Sequence, residues 1–151
     1  MEKQLEPVLY SERLTPSVSV VFSLFILGIG AGLIALPFGD VLALIIGLST
    51  LLILIILSFA LSPQIRLTKS SLTVGRATIE TRYLAKATSV DPVQSFKERG
   101  ANLDSRAFTL FRPGIKNLVK IEINDKSDPT PYWLFSTRNP EILCQFLKQV
   151  S

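Results

Sequence analysis

The sequence predicts an α+β membrane protein: an N-terminal transmembrane helical hairpin, then a small antiparallel β-rich domain closed by a C-terminal helix. Three observations carry this. Between Arg13 and Arg66 the chain has one charged side chain, Asp40, set between two long apolar runs. From Gln64 onward the apolar spacing shortens to alternating runs broken by turn residues. From Asn139 the spacing becomes helical again.

The first apolar run is Val18 to Leu36, preceded by Pro16, and the second is Val41 to Leu61. At about 1.5 Å rise per residue they make helices of roughly 28 and 31 Å, enough for a hydrocarbon core of about 30 Å. Pro37-Phe38-Gly39-Asp40 is the whole connector, so the spans form an antiparallel hairpin with almost nothing on the far side. Gly28 and Gly32 have the GxxxG spacing that permits close helix packing. The GIGAG run around them lacks the strand and helix start of a phosphate loop. No ionisable residue interrupts either span, so the usual marks of a proton relay or ion path are missing.

Arg66, Lys69, Arg76 and Arg82 follow the second span, Arg13 precedes the first, and the connector has no Lys or Arg. The positive-inside bias therefore places both termini in the cytoplasm of a multi-pass cell-membrane protein. A cleaved signal peptide is the rival reading of the first span. Its leader is long and acidic, and a second span follows at once. Three parts are expected: an N-terminal segment 1–17, the hairpin 18–61 with spans 18–36 and 41–61, and a cytoplasmic domain 62–151.

The domain's strands follow in order. Ile65 and Leu67 alternate with polar neighbours, and Lys69-Ser70 turns the chain. Leu72 to Val74 follows, then a Gly75-Arg76 turn suited to a positive φ, then Ala77 to Ile79. A fourth strand covers Ala85 to Val90. Asp91-Pro92-Val93-Gln94 starts a short helix that Gly100 stops. Strands near Arg106–Phe111, Leu118–Ile123 and Tyr132–Ser136 come next. Asn139 and Pro140 open a final helix whose apolar face is Ile142, Leu143, Phe146, Leu147 and Val150. Seven strands and a closing helix fit a partly open barrel of the pleckstrin-homology-like plan.

Two stretches resemble a known family. Tyr10-Ser11-Glu12-Arg13-Leu14-Thr15-Pro16 stands before the first span. Asp128-Pro129-Thr130-Pro131-Tyr132-Trp133 runs on through Ser136-Thr137-Arg138-Asn139-Pro140-Glu141, and Arg106-Ala107-Phe108 and Arg112-Pro113 also fit. The pattern is similar to an actinobacterial family of small two-span membrane proteins known as a domain of unknown function. The resemblance implies architecture and source, and no activity.

Chemistry is constrained more by what is missing. There is no histidine and a single cysteine, Cys144. Imidazole-based catalysis, an HExxH metal site and an internal disulfide are excluded. Cys144 falls off the apolar stripe of its helix, which argues against a packing role. Asp125 and Asp128, with Glu122 nearby, lack the order of a Ca²⁺ loop and read as turn chemistry. No cofactor or metal is expected, and the chain is read as non-enzymatic.

Candidate binding residues remain. Tyr132, Trp133 and Arg138, with Arg106 and Arg112, could form a recognition surface. The structural alternative makes Trp133 and Phe135 one core-facing side of the last strand. Arg13, Arg66, Lys69, Arg76 and Arg82, with Lys86, could lie against anionic lipid, and Arg106, Arg112 and Lys116 could extend that set or bind a phosphorylated headgroup. Tyr10, Glu12 and Arg13 stand where the chain enters the first span. They read as a headgroup anchor, or else as a contact docking this segment onto the tail domain. Residues 62–151 hold fourteen Lys and Arg against eight Asp and Glu, yet the basic residues are scattered and carry no nucleic-acid motif. The expected partners are membrane lipids and a protein partner or second copy, without nucleic acid. The function expected is an adaptor at the inner membrane face. The alternative is an accessory subunit of a larger membrane complex assembled through its helices.

Overall fold

A computed structural model describes residues 6–125 and 127–150. The chain divides into two compact units: Thr15–Ser62, and the stretch up to Leu14 together with Pro63 onward.

The first unit is an antiparallel pair of helices, α1 (Val18–Ala35) and α2 (Asp40–Ala60), joined by a short 3-10 turn at Leu36–Phe38. Ser17 caps α1, its hydroxyl accepting from the Val20 N–H. Both helices are long and apolar enough to cross a membrane. Their outer surfaces remain apolar and open, with Ile34 at 79% exposure and Val41 at 74%. Small residues set the distance between them. A Cβ on Gly28 would lie 2.8 Å from Leu51 Cβ, and one on Gly47 would lie 3.1 Å from the Gly28 carbonyl oxygen. Gly32 meets the Ala43 carbonyl at 3.2 Å in the same way. The Gly28 and Gly32 face is thus already occupied by α2 within the same chain.

The described residues of the second unit hold eight strands. β1 (Tyr10–Arg13), β2 (Gln64–Leu67), β3 (Ser71–Val74) and β4 (Ala77–Glu80) form one antiparallel sheet in that order. Gly75 turns β3 into β4 with φ +64, a conformation cheap only for glycine. β5 (Leu84–Val90), β6 (Phe108–Leu110), β7 (Leu118–Ile123) and β8 (Tyr132–Ser136) form the other sheet, in the order β5-β7-β8-β6. β5, β7 and β8 pair antiparallel, but β6 lies parallel to β8. A plain antiparallel succession therefore fails at β6. The helix α3 (Pro92–Arg99) and its following loop carry the chain across before β6 begins.

The alternation along β7 and β8 explains the core. Val119, Ile121, Trp133 and Phe135 face one way and join Ile65, Leu67, Leu72 and Val74 with α4 (Pro140–Val150) in the main core. Leu118, Tyr132 and Leu134 face the other way into a smaller cluster with Val90, Leu103, Ala107 and Phe111. All five residues of β8 are buried. A strand covered on both faces loses the alternation of a strand with one face in solvent.

Two expectations are corrected. The segment expected as a separate lead-in, 1–17, supplies an eighth strand, because β1 pairs with β2 from Tyr10↔Leu67 to Arg13↔Gln64. Cys144 is buried within the main core, and burial raises its thiol pKa. With Leu143 and Leu147 also buried, the packed stripe of α4 is broad enough to take in position 144.

Candidate functional site

The two stretches that carry the family resemblance come together in three dimensions. Their meeting point is Glu12 on β1. Its Oε2 accepts from the Tyr10 hydroxyl at 2.7 Å and from the Thr137 hydroxyl at 2.5 Å, and its Oε1 accepts from the Arg138 backbone N–H at 2.8 Å. The Arg138 guanidinium then donates to the Arg13 carbonyl oxygen at 3.3 Å, and the Asn139 N–H donates to Thr137 Oγ1. A carboxylate receiving three donors is well satisfied, and charge-assisted bonds of this kind are the stronger class. Burial pushes the Tyr10 hydroxyl up to about 12, reinforced by its bond to Glu12. Its ring packs 6.2 Å from Phe146 on α4.

The local sequence puts each member in place. Alternation on β1 turns Tyr10 and Glu12 to the inner side while Ser11 and Arg13 stay exposed. Thr137 follows β8 directly and is fixed by its N–H to the Asn117 carbonyl. Pro140 then starts α4. Beside this knot lies a cleft of about 280 Å³ lined by Asn117, Arg138, Asn139, Pro140, Glu141 and Ile142. Three donors converge on Glu12 and the Arg138 guanidinium reaches the Arg13 carbonyl, so the arrangement fastens the N-terminal strand to the entry of α4. Among the described residues, no group of three or more Cys, Asp or Glu side chains is placed to hold a metal ion.

The predicted surface of Tyr132, Trp133, Arg138, Arg106 and Arg112 is not one surface. Tyr132 and Trp133 are 8% and 5% exposed, buried on opposite faces of β8. Trp133 packs against Phe108 with the rings tilted and their centres 4.5 Å apart. The Tyr132 hydroxyl accepts the Asp104 N–H at 2.8 Å and donates to the Asn102 carbonyl, with Lys120 Nζ 4.2 Å from its ring centre. Both aromatics are core residues. Arg106 closes back on Asp104 through a salt bridge at 2.9 Å, which holds the Asp104 carboxyl down at about 2. The Arg112 N–H donates to Ser136 Oγ. Only Arg138 belongs to the motif cluster.

The basic set divides as well. Arg13 pairs opposite Gln64, and the Gly75 N–H donates to the Gln64 carbonyl, which puts Arg76 at that same end of the sheet. From this end the chain runs, through Leu14 and Pro63, to the helices. Lys69 sits at the opposite end, where its carbonyl accepts from Thr81 Oγ1, next to Arg82 in its pair with Glu80. Arg66 lies on the exposed face between, aligned with Thr73. Reversal of the chain at each tight turn alternates the ends, so closeness in sequence did not make one basic patch.

Of the two sequence readings of Tyr10, Glu12 and Arg13, the geometry matches the contact docking this segment onto the tail domain, while Thr137 stood in the motif without a role. The signal was present in the spacing of two polar motifs, one before the spans and one after the last strand. The chain belongs to a family described as "Protein of unknown function (DUF3093)", whose model matches residues 9–147. That range takes in both motif stretches. No curated protein and no solved structure gives a significant match to it.

Proposed function

We propose, with membership of that family as the premise for architecture and not for activity, that this chain is a membrane-anchored, non-enzymatic adaptor. In this reading α1 and α2 cross the cell membrane with both termini cytoplasmic. The β-rich unit is a variant of the pleckstrin-homology-like plan, held at the inner face to bind a protein partner or lipid, in a protein of actinobacterial source. Two four-stranded sheets with a closing helix support that plan, while the parallel β6 departs from it.

One observation carries the reading. β1 and β2 flank the apolar hairpin in sequence and pair with each other in register, and the Leu14 N–H donates to the Pro63 carbonyl at 2.9 Å. The β unit is thereby tied to both ends of the hairpin by very short chain links. A single flexible tether would let such a unit range widely; two short links limit how far it can lie from its anchor. A device for positioning a folded unit is what an adaptor needs.

The accessory-subunit reading rested on the Gly28 and Gly32 face, which α2 already covers. Photo-crosslinking in cells tests the two against each other. The full-length chain carries a photoreactive residue at exposed Thr78 or Thr109 of the β unit, or at Ile34 or Leu52 of the hairpin. A partner captured from Thr78 or Thr109 supports the adaptor. Capture confined to Ile34 and Leu52 would transfer the role to the helices.

A further inference from the structure

The helix α3 is built inside out. Its inward side is polar and fastened: Ser95 is buried with its hydroxyl on the Pro92 carbonyl at 2.7 Å. Glu98 accepts from Lys120 Nζ at 3.0 Å and from Asn102 at 2.8 Å, and these two bonds lower its pKa. Arg99 donates to the Ile115 carbonyl at 2.7 Å and lies 5.1 Å over the Phe111 ring. Its outward side carries Val93 and Phe96, at 88% and 84% exposure, with exposed Lys97 beside them. Spacings of three and four residues put these on one helical face. Among the described residues of this unit, Val8 and Ile142 are the other open large apolar side chains, at 43% and 47%. An amphipathic helix in a soluble domain turns its apolar face to the core; this one turns it away.

The place of α3 in the unit indicates what covers that face. It starts two residues after Val90, which pairs with Leu118, which pairs with Ser136. Thr137 comes next and binds Glu12, which adjoins Leu14 and its bond to Pro63. Neighbouring strands lie about 5 Å apart, so α3 springs from the same end of the unit as the chain links to the apolar helices. A second path agrees. Arg99 covers Phe111, which follows Leu110, and a Cβ on Gly75 at that end would come 2.6 Å from Leu110 Cδ1.

We propose that the Val93–Phe96 face of α3 is a lipid-contacting element, seated at the boundary between headgroups and acyl chains, with Lys97 reaching the anionic headgroups. Helices lying in the interface bury an apolar face by about 5–10 Å, with basic residues snorkelling from its edge. The inward polar side holds the helix to the β unit, so the contact sets which surface of that unit faces the cytoplasm. This rests on the membrane-anchored reading above, and the experiment separates the two.

The full-length chain is reconstituted in vesicles of phosphatidylcholine and phosphatidylglycerol, with and without bromine on the acyl chains. The chain has one tryptophan, Trp133, which is buried, so the wild type supplies the baseline. Phe96→Trp adds a reporter on α3, and a separate Phe25→Trp adds one on α1. The proposal expects brominated lipid to remove several-fold more emission from Phe96→Trp than from wild type, with little added quenching by aqueous acrylamide. It also expects a weaker effect in vesicles lacking phosphatidylglycerol, a dependence that Lys97→Gln removes. Strong bromine quenching of Phe25→Trp with none for Phe96→Trp would overturn the lipid contact and leave the anchor standing. Protection of Phe96→Trp from acrylamide without bromine quenching would overturn it in favour of a protein or second copy on that face. Absence of bromine quenching in both reporters would overturn both readings.

Discussion

Glu12 accepts a hydrogen bond from the Thr137 hydroxyl across 125 positions of sequence, at 2.5 Å. One carboxylate thereby joins the strand that leads into the hairpin to the loop that leads into the last helix. Glu12→Ala leaves the Tyr10 hydroxyl, the Thr137 hydroxyl and the Arg138 N–H without their shared acceptor. Loss of about 1–3 kcal/mol of stability is expected, with β1 the first segment to open. Hydrogen exchange on the detergent-solubilised full chain reads this as faster exchange in Tyr10–Arg13 and in β2. Unchanged protection there would show that strand pairing holds β1 alone.

Tyr10 sets a limit at alkaline pH. Its hydroxyl is raised from about 10 in an unfolded chain to about 12 in the folded one. The folded state holds this proton more tightly, so its contribution is complete below pH 10. It is lost as pH rises toward about 12. Thermal melts across that window should show the wild type weakening more steeply than Tyr10→Phe, which has no proton to lose. Parallel curves would place the alkaline loss elsewhere.

The glycines of α1 give a paired test. Gly28→Leu drives a side chain into Leu51 and the Gly47 carbonyl, whereas Gly30 has no atom within 4 Å of an added Cβ. Gly28→Leu should cost about 1–3 kcal/mol through overpacking and lower the temperature at which the solubilised protein stops being monodisperse. Gly30→Leu should leave that temperature nearly unchanged. Equal behaviour of the two variants would mean that α1 and α2 do not meet along this face.

Trp133 and Tyr132 decide between core and surface. Trp133→Ala removes a buried ring from its contact with Phe108 and should cost about 3–5 kcal/mol. Tyr132→Phe takes away only the hydroxyl that accepts the Asp104 N–H and donates to the Asn102 carbonyl and should cost about 1–2 kcal/mol. Chemical denaturation of both variants checks the ratio. Two folded, wild-type-stable variants would restore the pair to the surface.

Much of this fold could be read directly from residues. The spans were legible because composition alone marks them, and α1 and α2 end within a residue of the apolar runs. β2, β3, β4 and β5 were legible because alternation and tight turns are local signals. β1 was hidden: its four residues precede a proline and an apolar run, and its partner β2 lies beyond the entire hairpin. The site was partly legible, since both motif stretches stood out, but their meeting at Glu12 depends on that non-local pairing. Trp133 was legible as core from the alternation that puts it on one side with Phe135, whereas Tyr132 was not, because a strand buried on both faces gives no solvent side for comparison. The outward Phe96 was legible as composition only. Which face a short helix presents depends on Ser95, Glu98 and Arg99 finding partners on strands and loops that come later in the chain.

The central claim is that the hairpin crosses the membrane and holds the β unit inside. Phe38→Cys in the connector and Thr78→Cys on the outer face of the first sheet test it most directly, in a Cys144→Ser background. Intact cells are treated with a membrane-impermeant maleimide before and after lysis. The account predicts labelling at position 38 in intact cells and at position 78 only after lysis. Labelling at 78 in intact cells, or at neither position until the cells are opened, would contradict it.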